Sequence, residues 1–67
     1  MVEKVKLRQE KSMYYVLSPI SSDPAEEGSL KTCFLYGNGD QESSLEKARE
    51  FANIRAIELT TTVEETL

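Results

Sequence analysis

Polar and apolar residues alternate over residues 2–9, Val-Glu-Lys-Val-Lys-Leu-Arg-Gln. Val5 and Leu7 fall on one side and Lys4, Lys6 and Arg8 on the other, a period of two that predicts a half-buried strand. Residues 13–18, Met-Tyr-Tyr-Val-Leu-Ser, are aromatic and β-branched and stop at Pro19, so they predict a second strand. Glu10-Lys11-Ser12 joins the two as a short hairpin, without the Gly or Asn that usually supplies a positive φ. A three-residue loop sets Leu7 opposite Tyr15. Val5, Leu7, Tyr15 and Leu17 then share one face, and Lys4, Lys6, Arg8, Tyr14 and Val16 share the other. A two-residue loop pairs Leu7 with Val16 instead and moves Tyr15 to the basic face. We take the three-residue form as the expectation. In both, one tyrosine lies among cations.

Residues 19–29 hold two prolines, a glycine, three serines before Leu30 and three acids, which predicts a long, mobile loop. Residues 30–36, Leu-Lys-Thr-Cys-Phe-Leu-Tyr, predict a third strand with Leu30, Thr32, Phe34 and Tyr36 on one side and Lys31, Cys33 and Leu35 on the other. Gly37-Asn38-Gly39-Asp40 breaks the strand with residues that tolerate positive φ. Ser43-Ser44-Leu45-Glu46 fits a capping box with Ser43 as N-cap. Leu45, Ala48, Phe51, Ala52 and Ala56 form one helical stripe, and Ile54 lies off it, so the helix is expected to end near Asn53–Arg55. Residues 56–62 return to period two and read as a fourth strand, followed by a short acidic tail, 63–67. The order β-β-β-α-β predicts an α+β fold of two layers, a mostly antiparallel sheet with one helix packed on one face. The fourth strand is left either parallel to the first or at the opposite edge.

Composition narrows the possibilities. With 67 residues the chain is one domain, 1–67, and a domain this small buries only about 60% of its unfolded surface. It has no His and one Cys, which leaves neither an internal disulfide nor the usual zinc ligands. Net charge is −4, unevenly spread: residues 1–11 carry four basic against two acidic side chains, and the remainder four against ten. That balance opposes nonspecific binding to nucleic acid and anionic membranes. The beginning, MVEKVKLRQE, has no apolar signal core, and no run reaches the ~18 residues of a membrane span. A cytoplasmic location with no membrane partner follows as an expectation.

Most candidate chemistry dissolves on inspection. Gly37-Asn38-Gly39-Asp40 precedes a helix but lacks the spacing and Lys of a phosphate loop. Asp40, Glu42 and Ser44 alternate as calcium ligands do, without the central Gly and twelfth-position Glu of a calcium loop. Cys33 has no His to pair with and reads as a small buried hydrophobe. Glu26-Glu27 and Glu64-Glu65 lack the rigid cleft that paired catalytic carboxylates need. No catalytic residue, metal site or cofactor is expected, and the chain is read as a non-enzyme.

What remains is the sheet face that one helix cannot cover. Lys6, Arg8, Tyr14, Val16, Cys33 and Leu35 are the residues expected there. They are too apolar for an idle surface unless Lys and Arg stems lie across them. The leading expectation is a small protein-interaction module that docks a homodimer mate or a larger protein, through this face or by strand addition at an edge. The competing expectation is nucleic-acid binding by Lys4, Lys6, Arg8 and Lys31, with Tyr14 stacking on a base. Three strands followed by a helix, with Ser44-Leu45-Glu46-Lys47-Ala48-Arg49 at the helix start, is similar to the small sheet domains with which some phage integrases grip DNA. That resemblance implies the same DNA-facing use of the sheet. A third idea, an acidic nucleic-acid mimic, fits less well, because Glu46 and Glu50 interleave with Lys47 and Arg49 as on an ordinary solvated helix.

Overall fold

The computed structural model describes residues 3–21, 23, 25 and 28–67. Three strands form where the sequence predicts them: β1 (Val5–Glu10), β2 (Met13–Pro19) and β3 (Ser29–Leu35). The helix α1 (Gln41–Leu59) and a short β4 (Val63–Thr66) complete the β-β-β-α-β order. The four strands form one mixed sheet in the order β3-β2-β1-β4. β1–β2 and β2–β3 are antiparallel, while β4 lies parallel to β1, reached through the crossover helix. This is the expected α+β, two-layer arrangement, and it settles the place of the fourth strand. Residues 22, 24, 26 and 27 of the expected 19–29 loop, with the Glu26–Glu27 pair, lie outside the described residues.

The hairpin register corrects the expected one. Glu10 pairs with Met13 and Leu7 with Val16, so the turn has two residues, Lys11 and Ser12. Lys11 adopts φ of 49°, the positive value the turn needs even though it is not a glycine. Contacts from the residues that follow β3 hold it there. The amides of Tyr36 and Gly37 both donate to the Ser12 carbonyl, and the Tyr36 hydroxyl donates to the Lys11 carbonyl at 2.7 Å. Tyr14 and Val16, expected on the helix-free face, are therefore in the core, at 4% and 0% exposure.

The core lies between the sheet and α1. Val5, Leu7, Tyr14 and Val16 meet Ala48, Ala52, Ala56 and Leu59, with Phe34, Tyr36, Leu45, Phe51 and Val63 packed around them. Three alanines at intervals of four let the helix lie close to the large strand residues. Tyr14 packs against Tyr36 with ring centres 5.2 Å apart and accepts a hydrogen bond from Gln41.

The helix is longer at both ends than its expected span. Asp40 is the N-cap, not Ser43: its Oδ1 accepts the Ser43 amide at 3.2 Å, and a carboxylate there also favours the positive end of the helix. The helix continues to Leu59 because Ala56 and Leu59 extend the buried stripe, while Ile54 and Ile57 lie outside it at 48% and 78% exposure. Residues 56–59, expected in the fourth strand, are thus helical. Thr60 closes the helix at φ 55°, and the Thr60 and Thr61 amides donate to the Ile57 and Ala56 carbonyls, a Schellman closure. The expected acidic tail is instead β4, joined to the sheet through the Val5 amide on the Thr62 carbonyl. Arg49 clamps Glu65 from the helix, Nε to Oε1 at 2.8 Å.

Candidate interaction surface

Because α1 covers one face, the other collects every side chain of opposite parity. Cross-strand register arranges it in three rows: Leu35–Met13–Glu10, then Cys33–Tyr15–Arg8–Thr66, then Lys31–Leu17–Lys6–Glu64. The structure thus brings Lys6, Arg8, Lys31, Cys33 and Leu35 together as expected. Tyr15, Leu17 and Met13 take the positions expected of Tyr14 and Val16. Lys4 lies beside this face, where with Lys6, Leu17, Pro19 and Ser29 it lines an open hollow of about 100 Å³.

The face is divided chemically. Its β3 side is apolar: Leu35 is 75% exposed, and Cys33, expected to be buried, is an exposed thiol. Its cations are Lys6 and Arg8 on β1 and Lys31 at the end of β3 away from Leu35, three of the eight basic residues, against Glu10 and Glu64, two of the twelve acidic ones. Lys31 sits over the Tyr15 ring at 4.5 Å and within 3.9 Å of a Glu10 oxygen. The ring that a base would stack on is therefore already capped. Arg8 Nε is buried with no hydrogen-bond partner among the described residues.

The two sheet edges differ as well. β4 is four residues long and carries Glu64 and Glu65, a short charged edge of the kind that resists pairing. β3 is seven residues long, Ser-Leu-Lys-Thr-Cys-Phe-Leu, with a single charge and with Leu30 at 49% and Leu35 at 75% exposure. Its backbone groups left unpaired among the described residues can be assigned. The Tyr36 amide bonds to Ser12 and the Ile20 amide to Gly28, so the narrow pairs across β2–β3 are Tyr14–Phe34, Val16–Thr32 and Ser18–Leu30. By alternation, the N–H and C=O groups of Ser29, Lys31, Cys33 and Leu35 point away from the sheet.

Among the described residues, no three His, Cys, Asp or Glu side chains converge as metal ligands, and no helix is long and apolar enough to cross a membrane. Gly37 takes φ of 48° in the turn before α1, where it serves the change of direction. Comparison with known proteins adds nothing to the geometry: no family model, no curated protein and no solved structure matches the chain. The one sequence signal that would have found Tyr15 and Leu17 is the two-residue reading of the turn.

Proposed function

We propose that this chain is a non-enzymatic protein-interaction module of the cytoplasm that docks its partner on the β3 side of the sheet. The observation that carries the reading is the continuity of an apolar strip, exposed Cys33 and Leu35 with half-buried Met13, with an edge strand of low charge that is unpaired among the described residues. An edge strand gives affinity through its backbone, and side chains beside it give selectivity. Natural sheets protect such edges with short strands and charges, as this one does at β4. β3 is nearly twice as long, and its single charge, Lys31, leans over the Tyr15 ring on the sheet face, so most of its length is left for pairing.

A second reading has its own observation. Lys4, Lys6, Arg8 and Lys31 gather on or beside one face of an otherwise acidic molecule, as a phosphate-contacting surface requires. Tyr15 stands in for Tyr14 as the stacking residue, but Lys31 covers it. Two features place this reading second, the capped ring and the net charge of −4.

Light scattering from micromolar to millimolar concentration, at low and high salt, separates the two. Association that persists at high salt is the result expected of an apolar and backbone-mediated contact. A monomer that instead binds short duplexes or single strands, and releases them steeply as salt rises, belongs to the nucleic-acid reading.

A further inference from the structure

We infer that the partner is a second copy of this chain, joined β3 to β3 antiparallel about a two-fold axis at Thr32. The inference rests on the reading that the β3 side is the docking surface, and it names the occupant and the register. Antiparallel pairing joins outward-facing backbone groups to outward-facing ones, and here those belong to Ser29, Lys31, Cys33 and Leu35. With Thr32 on the axis, Lys31 exchanges both hydrogen bonds with the partner's Cys33, and Ser29 does so with the partner's Leu35. This register uses the full length of the strand.

Side chains agree with it. On the helix side, exposed Leu30 meets the partner's half-buried Phe34, and the two threonines lie directly opposite each other. Aliphatic–aromatic and Thr–Thr cross-strand pairs are both favourable. On the open face Lys31 lies beside the partner's Cys33, so the strand's single charge never faces itself. Charge placement points the same way. Pairing through β3 sends the Glu64 and Glu65 edges of two acidic molecules to opposite ends of one eight-stranded sheet, whereas pairing through β4 would set glutamates against glutamates. A contact made by one edge strand is at the small end of specific interfaces, so the dimer is a weak one.

The experiment is sedimentation of the full chain and five variants from micromolar to millimolar concentration, with far-UV circular dichroism to confirm folding. The wild-type mass should double across that range. Cys33→Pro removes an N–H that the monomer does not use, so the variant should stay folded and remain monomeric. Cys33→Arg sets a cation against the partner's Lys31 and should raise the midpoint concentration roughly tenfold. It needs no unusual backbone, so it tests the pairing even if the proline variant unfolds. Adding Lys31→Glu to Cys33→Arg should restore the midpoint, which reports the register itself.

A wild-type chain that stays monomeric at millimolar concentration overturns the inference. So does a dimer that survives Cys33→Pro and Cys33→Arg. If that dimer is lost with Leu35→Asp, the open face holds it and the proposed function stands. If it is lost only with Ile57→Lys, the helix holds it and both readings fail.

Discussion

Two residues, Lys11 and Thr60, sit in left-handed backbone conformations that their side chains resist. Thr60 is β-branched and left-handed at φ 55°, where a glycine would bear no steric cost. Thr60→Gly should therefore stabilise the domain by about 1 kcal/mol, read as a higher midpoint in urea unfolding. A lower midpoint would mean that the threonine side chain contributes more than its backbone costs. Tyr14 presents the opposite case. It is 4% exposed, packed at a tilt against Tyr36 and bonded to Gln41, so Tyr14→Ala should cost about 3–5 kcal/mol. That approaches everything the core of so small a domain supplies, and the variant should be largely unfolded. Leu35→Asp, on the opposite face at 75% exposure, should leave the unfolding midpoint nearly unchanged. Alternation alone could not separate Tyr14 from Tyr15. Their sides depend on one residue of loop length, and Tyr36, distant in sequence, fixes that length by binding Lys11 and Ser12.

The same lesson holds among the elements. The strand β1 was legible because Val5 and Leu7 alternate with Lys6 and Arg8, and β3 because its β-branched and aromatic residues stop at Gly37, which placed Cys33 and Leu35 together on one face. The helix was legible in its centre, where the alanine stripe is strict, and misjudged at its ends. Ile54 and Ile57 look like a broken stripe but lie on the solvent side, and Thr60–Thr62 look like strand but form the helix closure and the connection to β4. Two serines obscured the start. Asp40→Ala should cost about 1 kcal/mol in thermal or urea unfolding and Ser43→Ala clearly less, because the capping bond comes from Asp40. Equal losses would return the cap to Ser43. Arg49 and Glu65, both about half exposed, tie α1 to β4, yet such a pair contributes under about 1 kcal/mol. β4 is held mainly by its ladder with β1 and by Val63 against the core.

For the molecule as a whole, one helix on a four-stranded sheet leaves a face and two edges, and sequence and structure treat the edges differently. β4 is short and acidic, whereas β3 is long, carries one charge and is continuous with the apolar strip of Met13, Cys33 and Leu35. The need for an uncovered face could be read from the element order. Its true composition could not, since it depends on the hairpin register, and the free edge depends on a strand order that alternation does not encode. The claim that β3 is the docking edge is tested most directly by amide hydrogen exchange, residue by residue, as the protein is concentrated from micromolar to millimolar. Their outward-facing amides leave Lys31, Cys33 and Leu35 unprotected in the monomer, and each should become protected with rising concentration while the β4 amides do not change. Exchange at Lys31, Cys33 and Leu35 that is equally fast at every concentration would contradict the account.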